Sequence, residues 1–389
     1  MRSVFLYLVV LLLSAPAFCQ AAETVVFRSG NDGYASYRIP AIIKAPDGAL
    51  LAFCEGRVNN AGDYGNVDIV LKRSTDGGRS WGPLRLIVNN DSLQAGNPAP
   101  VVDYTDPAFP KGRIFLFYNT GNHHEAAIRK GEGVREIWYI TSADNGTSWS
   151  GPVNITTQVH RPLQPAFNPK YNFKEDWRSY ANTPGHAMQF ADGPYKGRLY
   201  IAANHSEGVP QSQFEDYVAH GFFTDDHGKT FSISENVPIR GSNESTAASP
   251  GNGKLIMNSR YQTGTVKRRI VSVSSNGGQT WDTTYFDANL PDPVNEGSLI
   301  SFKNGNTYIL AFSNAANENK RDHLTLRLSR DGGNTWYRNI TVAASGADYK
   351  GSSYTAYSDL VLLNKKTIGI LFEKDGYRTI VYKNINFIR

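Results

Sequence analysis

Cysteine is almost absent from this chain, with two residues in 389, Cys19 and Cys54. Cys19 falls in a stretch that reads as removable, so a single thiol remains, no internal disulfide is available, and packing must hold the fold. Long apolar runs are equally scarce. The one candidate, Val4 to Leu13 in "MRSVFLYLVVLLLSAPAFCQAA", is too short to cross a bilayer comfortably. With a basic residue before it and small residues after it, it has the layout of a secretory signal peptide over residues 1–22. "PAFC" around Cys19 fits a lipid-attachment site poorly. The expected mature chain, 23–389, is a single domain, secreted or periplasmic, with no stable membrane span and a monomeric state. Runs of like charge are missing too, which excludes a nucleic-acid face, and the net charge of +5 is too small to argue for an anionic partner alone. Metal-ligand spacing is absent: His123 and His124 are adjacent on a loop, and neither HExxH, CxxC nor a phosphate-cradling glycine loop occurs. No metal and no cofactor are expected.

Helical periodicity is also rare, and what replaces it is informative. Short alternating or wholly apolar runs, such as "RIFLFYNTG", "RLYIAANHSEG" and "NTYILAFSNA", recur between Gly, Asn and Asp clusters. With 36 Gly, 19 Pro and 12% aromatic residues, the chain reads as all-β. One long segment, Thr156 to Pro184, has no strand character. Its aromatics, including Phe167, Tyr171 and Trp177, mark it as a packed insertion rather than a linker.

An eight-residue pattern appears five times: "STDGGRSW" (Ser74–Trp81), "SADNGTSW" (Ser142–Trp149), "TDDHGKTF" (Thr224–Phe231), "SSNGGQTW" (Ser274–Trp281) and "SRDGGNTW" (Ser329–Trp336). The residue types are those of a hairpin turn. Asp or Asn accepts bonds from backbone N–H groups, Gly takes the positive φ, and the aromatic enters the core. The closing aromatics lie 68, 82, 50 and 55 residues apart, so each copy belongs to its own supersecondary unit. Units of this size suit the blades of a β-propeller, and roughly 365 mature residues divide into six. The sixth blade would join "ETVVFRS" at the start of the mature chain to "YTAYSDLVLL", "TIGILFEK" and "TIVYKNINF" at its end. A β-sandwich is the alternative with a similar strand count.

These turns, combined with "YRIP" (Tyr37–Pro40), resemble those of the bacterial-type sialidases (neuraminidases) of glycoside hydrolase family 33, Asp-box propellers, over nearly all of the chain after residue 22. The resemblance implies an exo-α-sialidase acting on sialylated glycans. In three places an arginine matches the family's carboxylate-binding triad: Arg38 in "YRIP", Arg260 in "GKLIMNSRY" and Arg321 in "NKRDHLTLRLSRDGG". A guanidinium fork suits a permanent sugar carboxylate. Glu373 sits in the otherwise apolar "GILFEK", where an unpaired carboxylate would be costly, and the resemblance pairs it with Arg38.

The resemblance also makes Tyr357 in "AYSDL" the nucleophile and Glu244, in the polar turn "GSNEST", its base. A phenol is neutral until deprotonated, so it can approach a carbon that bears a carboxylate. Asp63, in the Gly/Asn-rich loop "EGRVNNAGDYGNVD", is the implied acid/base, with Asp68 as the rival that reads as a strand start. Arg57 and Glu55 share one face of "LLAFCEGR" by period two; the family's matching arginine contacts the 4-hydroxyl side of the sugar, and Cys54 points the other way into the core. Asn97, in "AGNPAPVVDY", stands where an acidic residue is often found, leaving open an N-acetyl, N-glycolyl or hydroxyl 5-substituent. Gln189, in "GHAMQF", is implied beside the glycerol and aglycone side. Within the enzyme class the alternatives are a trans-sialidase and a hydrolase of deaminated sialic acid; outside it, a glycan-binding propeller without catalysis.

Overall fold

The computed structural model describes residues 23–388; the expected signal peptide, with Cys19, lies outside the described residues. The fold is all-β, with strands in a propeller arrangement and two short α-helices, Glu125–Arg129 and Thr156–Val159. Antiparallel hairpins build the sheets, because each turn motif joins consecutive short strands and leaves no length for a crossover.

Hydrogen bonding divides the strands into five sheets. Three begin at the innermost strands Trp177–Asn182, Ser242–Gly251 and Gly297–Asn304. The closing sheet takes Thr24–Arg28 as its outer strand against Thr379–Asn386, followed by Thr367–Lys374 and Thr355–Asn364. The two ends of the described chain are therefore stitched together. The fifth sheet has eight strands and holds two antiparallel runs, starting at Ser36–Lys44 and Gln94–Asp103, joined through one parallel pair, Val67 with Gln94. Inner strands face one another around the axis: Ser36–Lys44 lies against both Thr355–Asn364 and Gln94–Asp103, and Gly297–Asn304 lies against Ser242–Gly251 and Thr355–Asn364.

The core is a set of apolar layers between successive sheets rather than one central cluster. One layer joins Phe115 and Phe117 of one sheet to Leu199, Ile201 and Phe222 of the next. The turn motifs belong to these layers. Trp81 packs edge-on to Tyr382 of the closing sheet, with ring centroids 5.5 Å apart; Trp149 meets Phe53 at 6.0 Å and Phe231 meets Phe117 at 5.9 Å. Gly78 (φ 87°) shows why the turn needs glycine: a Cβ there would sit 2.0 Å from the Tyr382 ring. Trp81 and Phe231 thus fasten their hairpins to the neighbouring sheet, and Trp149 fastens one half of the eight-stranded sheet to the other.

The segment from Thr156 to Pro184, read as lacking strand character, is corrected: Trp177–Asn182 is an innermost strand paired with Leu199–Glu207. Its polar residues disguise it because its inner side faces the axis rather than an apolar layer. Cys54 is fully buried, and burial raises its thiol well above the usual range. Among the described residues no helix is long and apolar enough to cross a membrane.

Candidate active site

At one opening of the ring is a polar cavity of about 250 Å³, with Arg38, Arg260 and Arg321 at one end around Tyr357. The backbone creates this convergence through irregular register. Pairing shifts between Arg38 and Ala41, between Gly96 and Ala99, between Ser242 and Ser245, and between Thr355 and Ser358. These four intervals contain Arg38, Asn97, Glu244 and Tyr357. Bulges of this kind re-aim side chains at the end of a sheet, and Ile39 (φ 60°) and Asn97 (φ 51°) take the left-handed backbone needed to do so.

Arg38 Nε lies 2.6 Å from Glu373 Oε1, and the Glu373 side chain is wholly buried. The same carboxylate accepts from the backbone N–H of Ile39 at 3.0 Å and of Tyr357 at 3.1 Å. It therefore ties the strand of the arginine to the strand of the phenol. Arg260 Nη1 donates to Glu244 Oε2 at 2.6 Å and to Tyr357 Oη at 2.9 Å. The Tyr357 hydroxyl donates to Glu244 Oε1. Glu244 lies within the strand Ser242–Gly251 rather than in the turn expected for it. Arg321 donates to Tyr377 Oη at 3.0 Å and to the Val294 carbonyl at 3.2 Å, and has no ion pair among the described residues. Its Cζ lies 5.7 Å from the Tyr357 ring centre, and that of Arg38 lies 5.4 Å away. Burial, then the charge of Glu244, push the Tyr357 hydroxyl well above the usual phenol range against the opposing arginines. At rest the phenol is neutral.

Arg57 is held by Glu55 through Nε at 3.0 Å and Nη2 at 2.7 Å, both on Oε2. Glu55 Oε1 accepts from the Asn97 N–H at 3.0 Å, which places Asn97 on the wall of the cavity. Arg57 Nη1 reaches Asp63 at 2.7 Å, while the Asp63 side chain stays 77% exposed on its loop. Partial burial opposes ionisation of Asp63, but the guanidinium groups of Arg57 and then Arg38 outweigh it and hold the carboxyl below its ordinary range. Asp68 is engaged elsewhere, by Tyr34 Oη and Asn89 Nδ2, each at 2.8 Å.

Gln189 does not reach this cavity. Its amide is bound by Asp103, Thr105 and the carbonyl of Gly197, and it lines a separate, largely apolar cavity of about 570 Å³. Met188–Gln189 pairs with Tyr200 and Leu199, at the opposite end of the strand Leu199–Glu207 from Trp177–Asn182, and so lies away from the arginines. Sequence reasoning missed Tyr377, whose ring lies 4.1 Å from the Arg38 Cζ and whose hydroxyl holds Arg321. Its place in the turn "EKDGYRT", just after Glu373, was the available signal. It also missed Gln94 and Arg135 on the wall beside Asn97. Asp103, Asp106 and His227 bring ligand-type atoms together away from this site, but their groups already serve Arg113, Thr105 and one another.

Comparison with known proteins follows the same lines. The model of the BNR repeat-like domain matches residues 35–370. The chain is similar to a sialidase of Micromonospora viridifaciens, 31% identical over 92% of this chain and 52% of that protein, so it spans about half of that relative's length. It is 27% identical to an exo-alpha-sialidase of Aspergillus fumigatus over 99% of this chain and 97% of the relative. Among solved structures, a Hadza microbial sialidase superposes with a TM-score of 0.78 at 26% identity, over 94% of this chain and 68% of that one.

Proposed function

The chain belongs to the BNR repeat-like family, and we propose that it is an exo-α-sialidase removing terminal α-linked sialic acids from glycoproteins, glycolipids and oligosaccharides with retention of configuration. The observation that carries this reading is the position of Tyr357: its hydroxyl donates to Glu244 and lies 2.9 Å from Arg260 Nη1, beneath the guanidinium groups of Arg38 and Arg321. Sialidases are an exception to the two-carboxylate rule of glycosidases, because they attack through a tyrosine.

In this mechanism the sugar carboxylate docks on Arg38, Arg260 and Arg321, where charge-assisted hydrogen bonds orient it. Tyr357 Oη attacks the anomeric carbon while Glu244 takes its proton. The bond to the leaving oxygen breaks and Asp63 protonates that oxygen. A water then gives one proton to Asp63 and its oxygen to the anomeric carbon; the bond from that carbon to Tyr357 Oη breaks, and the phenolate takes its proton back from Glu244. The phenol proton need only leave as charge develops, consistent with a resting hydroxyl pushed above its usual range. Asp63 must let go of Arg57 before it can act as an acid, and its exposed loop permits that movement.

The wider reading is a six-bladed propeller, in which the eight-stranded sheet counts as two blades because, among the described residues, one parallel residue pair is the only strand pairing between its halves. Export as a monomer after removal of residues 1–22 completes the proposal and rests on the layout of that segment. The test is Tyr357→Phe assayed on a fluorogenic sialoside. Turnover should fall by roughly a thousandfold or more, with KM changed only a few-fold; unchanged hydrolysis would remove the nucleophile assignment.

A further inference from the structure

Of the three arginines gathered round Tyr357, two already face a carboxylate: Glu373 takes Arg38 and Glu244 takes Arg260, each at 2.6 Å. Arg321 has no ion pair among the described residues, so one positive charge of the three is left over. Nearby acids are turned elsewhere. Asp322, next in the chain, is bound by Ser345 Oγ and by the N–H groups of His323 and Ser345, and Asp292 faces Arg269. What holds Arg321 instead is a pair of neutral oxygens: Tyr377 Oη accepts from Nη1 at 3.0 Å and the Val294 carbonyl accepts from Nη2 at 3.2 Å.

Both oxygens are placed by left-handed backbone, with φ 67° at Tyr377 and φ 65° at Val294. That region is uncommon for residues other than glycine and a genuine outlier for a bulky or β-branched one. Such strain persists where surrounding bonds over-determine it, and it gathers at sites that must be held in one geometry. At Tyr377 the surrounding bonds are on three sides. The Gly376 N–H donates to the Ser353 carbonyl at 2.8 Å, the Tyr377 carbonyl accepts from Ser29 Oγ at 2.9 Å, and the Tyr377 hydroxyl donates to Ser353 Oγ at 3.2 Å. With the phenol proton committed to Ser353, a lone pair of Oη faces Arg321. The ring of the same residue lies 4.1 Å from Arg38 Cζ, so it braces a second guanidinium without cancelling its charge. Tyr377 stands behind the cavity wall rather than on it, and meets a ligand only through these two arginines.

We infer that Tyr377 is a positioning residue that fixes Arg321 with a neutral oxygen, leaving this guanidinium its full charge for the carboxylate of the sugar. The inference rests on the sialidase reading, which supplies that carboxylate. A carboxylate side chain at this place would hold Arg321 as firmly but would cancel the charge that the ligand has to meet. A phenol supplies the acceptor alone, and a donor already oriented needs no ordering when the ligand docks.

The test separates holding from neutralising. Tyr377→Phe, Tyr377→Gln and Tyr377→Glu are made in the full chain. Affinity for 2,3-dehydro-N-acetylneuraminic acid is measured by calorimetry, beside kcat/KM on the 4-methylumbelliferyl N-acetylneuraminide. Tyr377→Phe keeps the ring against Arg38 and loses only the hydroxyl; it should weaken binding of the acid by about tenfold or more, with the loss of kcat/KM chiefly in KM. Gln and Glu share one shape and each offers an oxygen, so a role confined to packing would make them equal. The Glu variant should instead bind the acid about tenfold or more less tightly than the Gln variant. Adding Tyr377→Phe to Arg321→Met should lower kcat/KM by less than about twofold further, because the hydroxyl acts through that arginine. Circular dichroism reports folding, and should the Glu variant not fold, Tyr377→Phe and the double variant decide. Additive losses in the double variant, or equal binding by the Gln and Glu variants, overturn the inference while leaving the sialidase reading intact. Binding that follows this order in a wild type that hydrolyses no sialoside does the reverse. Failure of the wild type to bind the acid removes both.

Discussion

At the scale of single residues, the paired charges make the sharpest claims. Glu373 is fully buried and serves Arg38 and two backbone N–H groups. Glu373→Ala leaves a buried guanidinium without its counter-charge, so it should cost about 3–5 kcal/mol in urea unfolding, far more than a surface ion pair. A loss below about 1 kcal/mol would show that the pair is relaxed or solvated. Asp63 makes a different claim, because an acid catalyst matters most when the leaving group is poor. Asp63→Ala should therefore lose roughly a hundredfold or more in kcat/KM on sialyllactose and much less on an aryl sialoside, whose leaving group needs little protonation. Equal losses on the two substrates would speak against protonation by Asp63. Glu373 was legible in the sequence because a carboxylate inside "GILFEK" demands a partner. Arg135 was not, since nothing in "VREIWY" indicates that a glycine on the neighbouring strand leaves room for the guanidinium to turn inward.

Hairpin turns test the fold at the scale of elements. In the second copy, Asp144 Oδ1 accepts from Ser142 Oγ and the Ser148 N–H, both at 2.8 Å, while Oδ2 accepts from Ser148 Oγ at 2.6 Å. These bonds, working against slight burial, hold its carboxyl down at about 2. The fourth copy uses Asn276, whose Oδ1 accepts from Ser274 Oγ and the N–H groups of Gln279 and Thr280, while its Nδ2 turns to Thr280 Oγ1. A neutral acceptor is thus sufficient. Asp144→Asn, which keeps an acceptor but gives up the charge, should cost clearly less than Asp144→Ala, for which about 1–2 kcal/mol is expected in the same denaturation assay. Equal effects would mean that charge, not acceptor geometry, holds the turn. The turns could be read from sequence because their chemistry is local, and the pairing of first and last strands followed from alternating apolar residues. The inner strands were harder to read. Trp177–Asn182 lacks an apolar rhythm because one side faces the axis, and the bulges that aim Arg38, Glu244 and Tyr357 depend on neighbouring strands.

For the molecule as a whole, acid should be the weak flank. His160, His205 and His220 are all fully buried beside the innermost strand Trp177–Asn182. His205 stacks on Trp177 with centroids 3.6 Å apart and meets His220 at 3.1 Å between Nδ1 atoms, while neither nitrogen of His160 has a partner. Arg161 adds positive charge near His160 and His220; Glu207, partly offset by Arg240, favours the charged form of His205 alone. Burial dominates, and all three hold their protons less tightly than an exposed imidazole, whose ordinary pKa is about 6.5. Above that pH the folded and unfolded chains are both neutral at these sites and the histidines leave stability unchanged. As pH falls below it, the unfolded chain takes up protons that the folded chain refuses, and stability drops by up to about 1.4 kcal/mol per pH unit for each histidine. His186 works in the opposite sense. Burial disfavours its charge, but Asp359, 2.6 Å away, raises its pKa, so its contribution is present at low pH and is lost as pH rises through that raised value. The two effects fall in different windows: His186 should make Tm decline slightly as pH rises above about 6.5, and the three refused protons should make it steeply lower between about pH 6.5 and 5. His160→Phe, which replaces an unpartnered ring with an apolar one, should flatten that descent. A Tm insensitive to pH across this range would mean that the three rings ionise without leaving their layer.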